Sequence, residues 1–483
     1  MTIELKSLIG GRWTEGTGAL LESRSPAAPG VVVAQGRQAG PEQLLDAVAA
    51  ARAAARGWAR TPAHERGAVL LRAAAIIEEH AGVWGEELSR EEGKTLPEGT
   101  GEVLRAAQVL RYQAGEGDRE AGTVHHSPRA GEQILVTRKP LGVVAVVTPF
   151  NFPIAIPAWK IAPALVHGNT VVWKPASTVP LLAMRLAQAL HDAGLPDGVL
   201  NLVIGSGALG DALVDHPDVD GLTFTGSTGV GRALAGRAAA RGVPVQAEMG
   251  GKNAAVVLAD ADLDLALEQV LLGAFRSSGQ KCTATSRLVV EEPVADEFLR
   301  HLAERVSALR LGDPLESGVD LGPVISATAR DGILKAVRDG IDDGARLLCG
   351  GPDAAVPTGG HFVAPTVVEL DGEAPLWRDE LFGPVLAVRR AATVEEAFAL
   401  AEDSEFGLSA ALFTQDLTLA LEAMEGLDVG VLHVNSESAG ADPHVPFGGA
   451  KKSGYGPKEQ GQAAREFFTH TTTVYLRGGK TRP

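Results

Sequence analysis

The chain has 483 residues, 45% of them hydrophobic and 22% charged, with 58 glycines spread along its length and a formal net charge of −16. That length is too great for one ordinary core and predicts two to four domains, with no part of the composition reading as disordered. The acidic balance and the lack of a long Lys/Arg run argue against a nucleic-acid partner, and no apolar run is long enough to suggest a membrane partner. Without a basic-then-apolar leader, the expected location is cytoplasmic. Two cysteines, Cys282 and Cys349, are too few for a disulfide framework or a four-thiolate zinc site, but one can be a nucleophile.

Residues 43–58, 64–81 and 97–120 carry Ala/Leu/Arg-rich helical spacing, followed by a turn-rich stretch, 121–139, with a strand at 133–138. The run VVAVV (143–147) predicts a strand buried on both faces. Strands at 170–173, 199–204 and 221–224 then alternate with helices at 180–193, 207–215 and 229–240. A second series starts near 254, with helices at 262–275, 294–309 and 326–343 and strands at 346–349, 385–388, 409–413 and 430–434. Such alternation predicts an α/β protein with two doubly wound, Rossmann-like domains and a ligand cleft between them.

Two glycine-rich turns follow predicted strands. GSGALG, opening at Gly205, fits G-x-G-x-x-G, and FTGSTGVG presents Gly226 and Ser227 at a strand-to-helix turn. Either could hold a pyrophosphate on free helix N-terminal amides, and either is equally well explained as a tight turn. The first lacks an acidic residue at the end of the next strand, so the second is the better phosphate site and Gly205 a supporting turn.

Cys282 sits in RSSGQKCTATSR, among small and polar residues unlike the setting of a core cysteine. A nucleophilic thiol needs a dipole or a base to supply thiolate. Asn151 in TPFNFP offers an amide to an oxyanion, Glu248 in EMGGK a carboxylate before two glycines, and Glu380 in ELFGP a carboxylate beside Phe382.

The segments FNFP, WKPA, FTGSTGVG, EMGGK, GQKCT, ELFGP and PFGG (446–449), in this order and at these separations, resemble the aldehyde dehydrogenase superfamily over nearly the whole chain. The resemblance implies the aldehyde dehydrogenase fold: a cofactor-binding domain over 1–120 and 139–250, a catalytic domain over 251–450, and oligomerisation strands over 121–138 and 465–483. It implies that Cys282 attacks the aldehyde of a small-molecule substrate, Asn151 and the Cys282 backbone N–H hold the oxyanion, and Glu248 activates the water that hydrolyses the thioester. It further implies NADP or NAD as cofactor, bound by Lys174, Gly226, Ser227, Glu380 and Phe382. Trp159 is as much a packing residue as a cofactor contact.

Where NAD-preferring relatives carry Glu three residues after the lysine, this chain has Ser177, so NADP is expected to be accepted. The tail FFTHTTTVYL (467–476) resembles a strand that extends a neighbouring subunit's sheet, so a homodimer or homotetramer is expected. The surroundings of Cys282, with HVPFGG and KEQGQAAREFF, look most like dehydrogenases of 2-oxoglutarate semialdehyde (2,5-dioxopentanoate). Succinate-semialdehyde enzymes and broad aromatic or aliphatic aldehyde oxidisers are alternatives, the aromatic ones disfavoured by the 5% aromatic content.

A carboxylate-bearing substrate needs a funnel cation, for which Arg111, Arg105 and Lys281 are candidates, each equally able to serve as a salt-bridge partner. A cysteine hydrolase or acyltransferase is the reading from a different class, and needs a histidine beside Cys282. Cys349 reads as a buried strand thiol, His433 as a satisfied core histidine, and His125–His126 as surface or interface packing with no metal.

Overall fold

The computed structural model describes residues 2–119 and 121–479. The last four residues of the expected 465–483 extension lie outside that range, as does residue 120.

An eight-stranded sheet forms the first half. Its centre is Val143–Val147, flanked in parallel by Thr170–Lys174 on one side and Gly221–Thr225 on the other. Beyond these lie Leu200–Leu202 and Val245–Glu248 respectively, also parallel. The chain therefore winds outward in one direction, returns, and winds in the other, which opens a crevice at the carboxyl ends of the central strands. The core strand Val143–Val147 is β-branched and buried along nearly its whole length because helices cover both faces. Antiparallel strands are added at one side by Ser7–Ile9 and Arg12–Thr14 and at the other, from beyond the expected 250 boundary, by Gly454–Tyr455.

The second sheet has seven strands, Asn253–Val257 lying between Thr285–Glu291 and Ser409–Phe413. Only Arg346–Cys349, at one edge, runs antiparallel. Cys349 is half-buried on that edge rather than sealed in the core. Val431–Val434 forms the other edge and carries His433, whose Nδ1 lies 3.3 Å from Ser436 Oγ while its buried Nε2 has no partner among the described residues. The expectation of a fully satisfied histidine is not met, because the strand is an edge and of the two serines in the next loop Ser438 is engaged with Thr283 and Thr285.

Helix termini are set by local chemistry. Asp262 caps Leu263–Phe275 by accepting Leu265 N at 3.1 Å. Thr95 and Glu98 form a reciprocal cap on Leu96–Ala114. Among the described residues, no helix is long and apolar enough to cross a membrane.

Thr469–Arg477 pairs antiparallel with Glu132–Pro140 of its own chain, giving with Gly122–His126 a three-stranded sheet. Within one chain the tail thus completes a sheet with residues 132–140. The preceding helix, Gly461–Phe468, buries Phe467 and Phe468 in the core and delivers the strand beside residues 132–140. His125 and His126 are exposed on the outer strand.

Candidate active site

The crevice of the eight-stranded sheet is a cleft of about 610 Å³. Strand ends supply its lining: Lys174 closes Thr170–Lys174, Gly226 and Ser227 follow Gly221–Thr225, and Thr148 to Asn151 follow Val143–Val147. Ser227 is the N-cap of Thr228–Ala240, and the buried Thr225 and Thr228 hydroxyls at this turn have no partner among the described residues. A side chain at Gly226 would strike the Phe224 ring at 2.6 Å, so the turn requires glycine. Ser177 and Thr178 line the same cleft, in which Lys174 is the only cation among the described lining residues. Burial holds the Lys174 ammonium below its ordinary pKa, opposed by Asp211.

Cys282 lies between the turn Arg276–Gly279 and strand Thr285–Glu291. Asn253, at the start of the central strand, donates from Nδ2 to the carbonyls of Cys282 at 2.8 Å and Ala284 at 2.9 Å. A Cβ at Gly251 would come within 3.0 Å of the Cys282 carbonyl, so the second glycine of EMGGK permits this approach. Ser277 and Ser278 take left-handed conformations (φ 54° and 52°) just ahead of the cysteine. Such residues cost on the order of 1–3 kcal/mol each and persist where surroundings fix them. Here Glu98 accepts Ser277 N at 2.7 Å and Ser278 Oγ donates to Gly322 O at 2.7 Å. Phe382, with φ 56°, sets its ring edge-on to Phe150 in the cleft.

A second cavity of about 350 Å³ adjoins the cleft, and Cys282 is the one described residue common to both linings. Asn151, buried, donates from Nδ2 to Gln280 O at 3.0 Å, which ties it to the cysteine loop and leaves one amide hydrogen free. Lys94 Nζ donates to the Asn151 carbonyl and, at 2.7 Å, to Glu102 Oε2. Glu102 Oε1 accepts the amides of Ile154 and Ala155.

Burial, joined by the charges of Glu380, Glu248 and Glu459, pushes the Cys282 thiol up to about 12. Glu248 ends its strand and is raised well above the usual carboxyl range by burial and by Glu459, against the opposing Gly449 N–H, Lys160 and Lys458. Its Oε2 accepts Gly449 N at 2.9 Å, so the carboxylate points away from both cavities. Behind it, Lys160 contacts Glu459 and donates to Thr223 Oγ1 at 3.0 Å. Glu380 accepts Gly251 N at 3.0 Å and is raised to about 7 by burial.

The model of the Aldehyde dehydrogenase family matches residues 13–474. The chain belongs to the aldehyde dehydrogenase family. It is 41% identical to an alpha-ketoglutaric semialdehyde dehydrogenase of Bacillus subtilis, covering 98% of each chain. It is 38% identical to a 2,5-dioxopentanoate dehydrogenase of Saccharolobus solfataricus, over 96% of this chain and 98% of that one. The fold is similar to that of a betaine aldehyde dehydrogenase of Staphylococcus aureus solved in complex with NAD+, with a TM-score of 0.94, 31% identity, and 99% of this chain and 96% of that one covered.

In this family member, Cys282, Asn151, Lys174, Ser177, Gly226, Ser227, Glu380 and Phe382 all line the cleft. Three further candidates lie apart from this cleft. Gly205 lies outside both linings, where a side chain would strike Leu209 at 2.4 Å, while Gly207 of the same loop reaches the cleft. Trp159 lies in the second cavity, edge-on to Phe447 at 5.3 Å, because its helix descends on that side. Arg111 is bound to Glu78 (Nε–Oε1 2.7 Å) and reaches neither cavity, whereas Arg105 and Lys281 line the second. Asn253, Lys94, Glu102 and Arg276 went unnoticed in the sequence; only the position of Asn253 next to EMGGK hinted at a role.

Proposed function

We propose that the chain oxidises a carboxylate-bearing aldehyde, with 2-oxoglutarate semialdehyde the leading candidate, to the acid, using NADP or NAD. The observation that carries this reading is Cys282 at the junction of two cavities, one built as a phosphate-binding crevice and one as a funnel. The orphan hydroxyls of Thr225 and Thr228, the helix N-terminus at Ser227, and Lys174 fit a dinucleotide in the crevice. When bound, the nicotinamide ring supplies the acceptor for the hydride lost by the substrate carbon.

The Cys282 thiol gives its proton to water, its sulfur adds to the aldehyde carbon, and the carbonyl electron pair moves onto oxygen. The free Asn151 amide hydrogen and the Cys282 N–H receive that oxyanion; one such donor is worth on the order of 100-fold or more in rate. Oxidation leaves a thioester on Cys282. Glu248, swung from Gly449 towards it, takes a proton from water, whose oxygen displaces the sulfur and releases the acid. Residues 1–120 and 139–250 then serve the cofactor, 251–450 the chemistry, and the exposed strand Thr469–Arg477, with 121–138, the contact between copies in a dimer or tetramer.

A second reading, oxidation of aromatic aldehydes, is favoured by Phe152, Trp159 and Phe447, three rings in the funnel despite the low aromatic content. A cysteine hydrolase is disfavoured, since no histidine is among the described lining residues of either cavity. Initial rates of NADH and NADPH formation with 2-oxoglutarate semialdehyde, succinate semialdehyde and benzaldehyde decide among these. A kcat/KM about tenfold higher for a semialdehyde, roughly 1.4 kcal/mol of transition-state preference, supports the carboxylate reading; faster benzaldehyde turnover refutes it.

A further inference from the structure

Just ahead of Cys282 the backbone is left-handed at Ser277 (φ 54°), Ser278 (φ 52°) and Gly279 (φ 69°) in succession. Glycine enters that region freely, whereas serine does so only against a steric cost. Gly279 is required for a second reason, since a Cβ there would meet Gly383 O at 2.3 Å. The turn closes on itself through one hydrogen bond, from Gln280 N to Ser277 O at 2.9 Å. The two serines therefore depend on contacts from outside the turn.

Two anchors come from the segment 322–325. Ser278 Oγ donates to Gly322 O at 2.7 Å, and Gln280 Oε1 accepts Ile325 N at 2.9 Å. The third comes from the other half of the chain, 179 positions away. Glu98 Oε1 accepts Ser277 N at 2.7 Å and Ser277 Oγ at 3.2 Å. Ser277 is where the left-handed run begins, so this carboxylate grips the turn at its root. Hydrogen bonds to a carboxylate are roughly twice as strong as neutral ones.

The second oxygen of Glu98 is spent on its own helix. Oε2 accepts Thr95 N at 3.2 Å and Thr95 Oγ1 at 2.8 Å, capping Leu96–Ala114. Lys94, next to that cap, donates to the Asn151 carbonyl. Asn151 in turn donates from Nδ2 to Gln280 O at 3.0 Å. One helix start thus holds both sides of the hydrogen bond that joins Asn151 to the cysteine segment. Without Glu98, Ser277 is free to leave the left-handed region, and a backbone rotation there displaces every atom that follows, the Cys282 sulfur included.

We infer that Glu98 is a positioning residue for the nucleophile: by holding Ser277 left-handed, it fixes where Cys282 stands relative to Asn151. Its effect falls on the attack of sulfur on the aldehyde and not on the binding of aldehyde. This rests on the reading of Cys282 as the nucleophile.

The test is rapid mixing of the full chain with NAD or NADP and whichever of 2-oxoglutarate semialdehyde, succinate semialdehyde and benzaldehyde the unaltered chain oxidises fastest. The readout is the rate of the first turnover of reduced cofactor. A displacement of about 1 Å at reacting atoms can cost about 100-fold, so Glu98→Ala is expected to lower that rate about tenfold or more. The aldehyde concentration giving half the rate should change by less than about threefold. Thr95→Ala removes the other partner of the carboxylate and should lower the urea midpoint while keeping the first-turnover rate within about twofold. Adding Ser277→Gly to Glu98→Ala should recover several fold of the rate, because glycine is left-handed without being held. A role confined to capping the helix cannot be rescued from residue 277. Where Glu98→Ala does not fold, Glu98→Gln, with one acceptor oxygen for two partners, should show a smaller loss that Ser277→Gly again recovers. An unchanged first-turnover rate, equal losses in Glu98→Ala and Thr95→Ala, or no recovery with Ser277→Gly overturns the inference. Full activity in Cys282→Ala would instead sink the nucleophile reading on which it rests.

Discussion

Lys94 Nζ lies 2.7 Å from Glu102 Oε2, and the two side chains are only 1% and 2% exposed. The pair does not float in the core. Lys94 also holds the Asn151 carbonyl and lies 3.7 Å above the Phe152 ring, while Glu102 caps the turn with two backbone amides. The carboxylates of Glu102 and Glu92 outweigh the effect of burial and keep the ammonium above its ordinary pKa. The loop bearing the proposed oxyanion donor is therefore fixed from behind by a charge pair.

Removing one partner of such a pair leaves an uncompensated buried charge, at a cost of about 3–5 kcal/mol. Lys94→Met is expected to lower stability by that order in urea denaturation and to depress kcat with little change in KM. If it acts through Asn151, adding it to Asn151→Ala should cost little further activity. Fully additive losses in kcat would show that the pair is structural only.

The thiol of Cys282, at about 12 in the protein alone, is overwhelmingly protonated at neutral pH because burial and three carboxylates disfavour the thiolate. A raised pKa on an acid means that the reactive form grows only as pH rises. Carboxymethylation of Cys282 by iodoacetate is thus expected to accelerate roughly tenfold per pH unit from pH 7 to pH 10. A plateau below pH 9 would mean that the thiolate is already formed by a group not accounted for.

Cofactor choice turns on residue 177. Lys174 is the one cation and Glu380 the one carboxylate among the described lining residues, and Asp211 acts on Lys174 from outside that lining. Ser177→Glu should lower kcat/KM for NADP by about tenfold or more through like-charge repulsion, and leave NAD use within a few fold. Parallel rates of NADPH and NADH formation in the variant would place the adenosine ribose elsewhere.

The two parallel sheets were legible because their strands are short apolar runs punctuated by turns, from the β-branched VVAVV at 143–147 to the fully buried SAALF at Ser409–Phe413. Five amino-terminal strands of two to six residues gave no usable pattern. Thr285–Glu291 was hidden by its closeness to the cysteine motif, and Ala81–Glu92 by the glycines within it. Individual site residues could be named from motifs, but not what holds them. Lys94 meets Asn151 across 57 positions, and Asn151 meets Gln280 across 129. Such contacts leave no periodic trace. The tail strand shows the same limit: its β character is local, its partner is not.

The central claim is that substrate becomes covalently attached to Cys282 and that Glu248 frees it. Burial and Glu459 hold the Glu248 carboxyl above its usual range, so turnover should fall as pH drops through that raised value, where the base is protonated. The most direct test is the intact mass of Glu248→Gln after mixing with 2-oxoglutarate semialdehyde and NAD. The account predicts one reduced cofactor per site, a steady-state rate lower by about 100-fold or more, and a chain heavier by one acyl group that Cys282→Ala cannot acquire. An unmodified chain that still turns over, or a Cys282→Ala variant with full activity, would contradict it.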